Sequence, residues 1–159
     1  MQYAILFVCT GNICRSPTAE IVLRHKVQQA GLHERVRIAS AGTHGYHVGA
    51  PADERSTEHA GLRGYDLSRH RARRVEAFDF RRFDLILALD HGHLALLQDD
   101  CPPEAEHKIR LLMEFAPADH PQEVADPYYG GAQGFETVLD HIEAACDGLL
   151  AHLRERLGP

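Results

Sequence analysis

Four short β-rich apolar runs recur along the chain, separated by segments of helical pattern. They are YAILFV at 3–8, VRIASA at 36–41, DLILAL at 84–89 and KIRLL at 108–112. The first two are almost continuously apolar, as strands buried on both faces of a parallel sheet tend to be. Parallel strands need crossovers long enough to hold a helix. The alternation therefore predicts βαβ units, and with them an α/β fold: a mostly parallel sheet with helices on both faces.

The helical segments carry their own signals. Ser16 suits an N-cap and Pro17 the first helical position, where a missing N–H does no harm. Gly31 closes that helix after Ala30, and Ala19, Leu23, Val27 and Ala30 form its apolar stripe. A last helix is marked by Phe135, Val138, Leu139, Ile142, Cys146, Leu149, Leu150 and Leu153, at helical spacing over about five turns. Middle helices are expected over 51–61, 74–81 and 91–98.

A chain of 159 residues suits one compact domain over 1–159. At that size roughly 70% of the unfolded surface can be buried, so neither disulfide nor metal is needed to hold a core. A formal net charge of −6 argues against nucleic-acid binding. YAILFV is too short for a secretory h-region or a membrane span, so neither membrane nor export is expected. The chain reads as cytoplasmic, with Cys9, Cys14, Cys101 and Cys146 as reduced thiols. Cys146 falls on an apolar helix stripe and reads as core; Cys101 reads as a loop thiol.

In parallel α/β sheets ligands sit at the carboxyl ends of strands, near the switch point. The loop after the first strand is VCTGNICRS. A turn wrapping from there into a helix start makes backbone N–H groups converge on one point, and the helix dipole favours an anion in that nest. Gly11 offers a backbone conformation closed to other residues, and Asn12 tolerates positive φ while its amide ties the loop to itself. Arg15 supplies a planar fork matching two phosphate oxygens. A thiol at Cys9 in that field loses its proton readily and becomes a nucleophile aimed into an anion cradle. The Walker pattern, which needs Gly-Lys-Ser/Thr, is not met.

Attack on a phosphate ester also calls for an acid at the leaving oxygen. The candidate is Asp126 in VADPYYGG, with Pro127 holding it extended or in a turn. The loop follows the last expected strand and so belongs on the sheet edge of Cys9. Tyr128 and Tyr129 offer aromatic walls.

VCTGNICRSPTAE, SAGT at 40–43, HRAR at 70–73 and DPYYG at 126–130 together resemble the low-molecular-weight protein tyrosine phosphatases, over essentially the whole chain. The resemblance implies a four-stranded parallel sheet of flavodoxin-like type and a two-step hydrolysis without metal or cofactor. It implies Cys9 as nucleophile, and Thr10, Gly11, Asn12, Ile13, Cys14 and Arg15 as the phosphate-binding loop. Asp126 is then the general acid and base, Ser16 stabilises the Cys9 thiolate, and Asn12 and His70 brace the loop. Cys14 resembles the partner of a reversible protective disulfide. The family often carries a tryptophan after the second strand. This chain has none, and Tyr46 is its substitute as substrate wall, beside Tyr128 and Tyr129. The implied substrate is a phosphotyrosine-bearing protein, with a cognate tyrosine kinase as counterpart.

Other readings stand beside this one. Arsenate reductases share the loop but add a cysteine pair near the third strand, and residues 75–100 contain no cysteine. Members resembling phosphoarginine phosphatases carry Thr at the position of Ile13. A phosphate-binding module without catalysis would have no use for Cys9 and Asp126. His91-x-His93 lacks a third ligand and reads as a solvated helix start. RHRARR at 69–74 with Arg81 and Arg82 reads as a solvated basic face, with steering of acidic phosphopeptides as the alternative.

Overall fold

The computed structural model describes residues 2–127 and 131–158. Its four strands, β1 Tyr3–Cys9, β2 Val36–Gly42, β3 Leu85–Ala88 and β4 Ile109–Leu111, coincide with the four apolar runs. They form one all-parallel sheet in the order β2-β1-β3-β4. The chain leaves β1 towards β2 on one side and returns to β3 on the other. The carboxyl end of β1 is thus the switch point, and Cys9 is its last residue.

Both faces of the sheet are covered because successive side chains of a strand point opposite ways. Ile5, Phe7 and Cys9 point into a core shared with α1 (Arg15–Gln29) and α5 (Ala132–Leu157). Ala4, Leu6 and Val8 point into a second core with Phe80, Phe83 and Leu97, from the side of α3 (Asp79–Arg82) and α4 (His91–Asp100). The helix α2 (Glu54–Leu62) precedes α3 and packs against α5. Cys146 is fully buried on the α5 stripe, as its spacing requires.

Three local expectations change. The N-cap of α1 is Cys14, with no side-chain cap, instead of Ser16. The Ser16 hydroxyl is already engaged by Cys9 and Asn12 and has turned away from the helix end. The helix expected over 74–81 shrinks to Asp79–Arg82. The backbone before it is drawn out beside β2: Gly42 N–H donates to the Arg73 carbonyl at 2.8 Å, and Val75 N–H to the Gly42 carbonyl at 2.9 Å. The third change concerns α2, which starts at Glu54 because the Asp53 carboxylate accepts from the N–H groups of Arg55 and Ser56.

Candidate active site

The turn from β1 into α1 is held from within by Asn12. This residue has φ of 61°, a left-handed conformation that Asn tolerates better than most. Its side chain is fully buried and fully used. The amide donates to Ser16 Oγ and to Ser40 Oγ, both at 2.9 Å, and Oδ1 accepts from Arg73 N–H at 3.0 Å. From outside, His70 Nε2 meets the Asn12 carbonyl at 2.6 Å. Asn12 and His70 thus stand where a loop brace would.

Gly11 makes a contact that the sequence does not suggest. It does not take a positive φ. A Cβ there would stand 2.7 Å from His47 Cδ2, so the glycine admits the His47 ring against the loop. His47 carries no motif signal and was not expected at the site.

Cys9 Sγ lies 2.9 Å from Ser16 Oγ. The hydroxyl can donate to a thiolate there. Arg15 is buried, with a side chain only 5% exposed. Its guanidinium donates to Asp90 Oδ2 at 2.8 Å and to the Val124 carbonyl at 2.9 Å, and lies 3.8 Å from Asp126 Oδ2. The Val124 N–H in turn donates to the Leu89 carbonyl at the end of β3. This tie brings the Asp126 loop to the sheet edge where Cys9 sits. Burial works to raise the Asp90 carboxyl. The His93 N–H and the Arg15 guanidinium outweigh it and hold the carboxyl below its usual range.

Cys9, Arg15 and Asp126 line one cavity of about 280 Å³. Thr10, Gly11, Ile13 and Cys14 of the loop also line it, with Tyr46 and His47 as its outer wall. Tyr46 is 72% exposed and stacks on His44, ring centres 4.9 Å apart. Tyr128 and Tyr129 lie outside the described residues. Among the described residues no group of three or more metal-ligating side chains comes together.

His93 corrects a sequence expectation. His91 is half exposed, as a solvated helix start should be, whereas His93 is 3% exposed and belongs to the site. Its Nε2 lies 2.8 Å from Thr10 Oγ1 and 3.5 Å from an Arg15 nitrogen. Its Nδ1 is 3.1 Å from Asp90 Oδ1, close enough for charge attraction but off the line of a hydrogen bond. Burial pushes the imidazole down to about 4. Only the i, i+3 relation of Asp90 and His93 at a helix start hinted at this.

A strand-end thiol, a buried guanidinium and a carboxylate thus share one small cavity on a parallel α/β fold, a set of groups with the chemistry to bind and attack a phosphate ester. Known proteins point the same way. Residues 4–157 match the family of low molecular weight phosphotyrosine protein phosphatases. A low molecular weight protein-tyrosine-phosphatase of Streptomyces coelicolor is 48% identical over 99% of this chain and 97% of its own length. A crystal structure of a protein tyrosine phosphatase from Entamoeba histolytica superposes with a TM-score of 0.95 at 41% identity, covering 99% of this chain and all of that one. A Drosophila arginine phosphatase superposes with a TM-score of 0.88 at 32% identity, covering 97% of this chain and 98% of that one. The chain belongs to the low molecular weight phosphotyrosine protein phosphatase family.

Proposed function

We propose that the chain hydrolyses phosphotyrosine on proteins through a phosphocysteine intermediate. The observation that carries this reading is the convergence of Cys9, Arg15 and Asp126 on one cavity. In the first step the Cys9 thiolate attacks phosphorus as the bond to the tyrosyl oxygen breaks. Asp126 gives its proton to the departing phenolate. In the second step Asp126 takes a proton from a water that attacks the phosphocysteine, releasing inorganic phosphate and restoring the thiolate. Arg15 and the N–H groups of the loop Thr10–Arg15 hold the oxygens on which charge spreads. Loss of one such donor typically costs about 3–4 kcal/mol of transition-state stabilisation.

Ser16, 2.9 Å from Cys9 Sγ, supports the thiolate. Asn12 and His70 support the loop. Ile13 lines the cavity with an aliphatic side chain and favours an aromatic ring over a guanidinium, which argues for phosphotyrosine over phosphoarginine. Tyr46 serves as outer wall. Cys14 serves as partner in a reversible disulfide with Cys9. A nucleophile that must stay reduced suits a cytoplasmic setting, and a tyrosine kinase that makes the substrate is the natural counterpart. No described helix is long and apolar enough to cross a membrane.

The test compares turnover of phosphotyrosine, phosphoserine and phosphoarginine peptides, with Cys9→Ser as control. Phosphotyrosine should lead, and Cys9→Ser should abolish turnover. Phosphoarginine release in excess of phosphotyrosine release would overturn the assignment of substrate. Asp126→Ala should lose more activity with poor leaving groups than with p-nitrophenyl phosphate. Equal losses would remove its acid role.

A further inference from the structure

The loop at 43–49 that walls the catalytic cavity with Tyr46 and His47 also contributes Val48 to a second cavity, of about 410 Å³. Four arginines line this second cavity: Arg37, Arg73, Arg74 and Arg82. Such a concentration is unexpected in a chain of net charge −6. From the sequence alone this cluster reads as a solvated basic face, with steering of acidic phosphopeptides as the alternative.

Its carboxylates do not cancel the charge. Asp79 is fully buried and already paired with Arg73, which donates to both of its oxygens at 3.0 Å. That leaves Arg37, Arg74 and Arg82 against Glu76. Two of the three sit over aromatic rings. The Arg37 guanidinium lies 5.0 Å from the Phe83 ring centre and donates to the Arg82 carbonyl, and Arg82 lies 4.6 Å from the Phe78 ring centre. A cation–π contact limits the freedom of a guanidinium while leaving N–H groups available, so less entropy is lost when a carboxylate docks. Arg74 is exposed, and its stem passes under the shared loop, with Cδ 3.7 Å from the position of a Cβ on Gly45. Val48, 63% exposed, adds an apolar lip between the two cavities.

We propose that this basic groove is a second substrate subsite, which takes an acidic segment flanking the phosphotyrosine of the protein substrate. A peptide with its phosphotyrosyl ring behind Tyr46 crosses the 43–49 loop to bring its carboxylates onto Arg37, Arg74 and Arg82. The subsite rests on the phosphatase reading of the catalytic cavity and adds sequence selectivity to it. Each contact is at the surface and individually weak, so the effect is selectivity among peptides without any part in the chemical step.

The experiment measures kcat/KM for two phosphotyrosine peptides that differ only in flanking residues, Asp/Glu against Ser/Gln, in the intact chain and in Arg37→Glu/Arg74→Glu. The acidic peptide should be preferred by the unaltered protein. The double variant should lose about fivefold to tenfold on it at low salt, while the neutral peptide and p-nitrophenyl phosphate stay unchanged. Arg69→Glu/Arg81→Glu makes the same charge change on the same basic stretch outside the groove and should keep the preference. No acidic preference, an equal loss on both peptides, or an equal effect of the outside pair would overturn the subsite. Absence of turnover on every phosphotyrosine substrate by the unaltered protein would instead sink the phosphatase reading itself.

Discussion

His93 Nε2 and Thr10 Oγ1 lie 2.8 Å apart, joining the first residue of α4's buried face to the first residue after Cys9. Arg15 can only donate, and it faces the same imidazole nitrogen. That arrangement selects the tautomer with its proton on Nδ1, towards Asp90, and leaves Nε2 to accept from the Thr10 hydroxyl. Asp90 and His93 thereby grip Arg15 and Thr10 together.

Removing that acceptor should loosen the loop without touching the reacting atoms. His93→Ala is expected to lower kcat/KM roughly fivefold, the worth of about one hydrogen bond, and to weaken inhibition by inorganic phosphate. In His93→Gln the side-chain oxygen reaches near the place of Nε2 and should recover most of the loss. Steady-state kinetics on p-nitrophenyl phosphate read both. Equal defects in the two variants would reduce His93 to a packing residue.

The same histidine makes stability depend on pH. It is pushed down to about 4, first by burial and then by Arg15 and His44, against the pull of Asp90 and Asp126. In the unfolded chain it would titrate near 6.5. The unfolded state therefore binds the extra proton between those values. The stability His93 contributes is complete above about pH 6.5 and is lost as pH falls towards 4, a difference on the order of 3 kcal/mol. Urea unfolding of the intact protein and of His93→Gln at pH 7 and pH 4.5 should show the gap between them shrinking on acidification. A constant gap would contradict a neutral buried imidazole.

The strands and the outer helices were legible in sequence because they answer to periodicity, and periodicity reports burial. The loop 9–15 was legible as the turn from β1 into α1 because Gly11, Asn12 and Pro17 mark the break between two periodic segments. What escaped depends on contacts between distant segments. Only the i, i+3 relation to Asp90 sets His93, buried against Thr10, apart from His91, two positions earlier and half exposed. Gly11 invited an explanation by backbone freedom, but it has no positive φ, and what lies against it is the ring of His47, thirty-six positions away. The extended backbone at Arg73–Val75 is likewise dictated by Gly42 of β2 and not by its own residues.

Cys14 lines the same cavity as Cys9 yet should behave unlike an activated thiol. Burial, and next the Asp53 carboxylate, push it up to about 12, with only partial relief from Ser56. The thiol therefore stays protonated through the neutral range, and it is buried as well. In Cys9→Ser protein treated with iodoacetamide at about pH 8, mass spectrometry should find the adduct on the partly exposed Cys101 well before Cys14 or the fully buried Cys146. Early labelling of Cys14 would mean that the loop opens far more readily than its packing indicates.

The last relationship is steric. Gly148, in the middle of α5, passes so close to the 3₁₀ turn Leu112–Phe115 that a Cβ on it would stand 1.8 Å from the Phe115 carbonyl oxygen. A backbone atom has no rotamer with which to yield, so Gly148→Ala must push α5 away from the turn that follows β4. Alanine's better helix propensity returns only about 1 kcal/mol, whereas overpacking a closed contact costs about 1–3 kcal/mol and more when backbone must move. The steric cost should win. Gly148→Ala is expected to lower the urea midpoint, with a net loss of about 2 kcal/mol. Gly61→Ala offers the control: it lies within α2, where an added Cβ meets nothing within 4 Å, and should be neutral or stabilising. If the two alanines behaved alike, helix propensity and not the approach of Phe115 would be deciding the outcome.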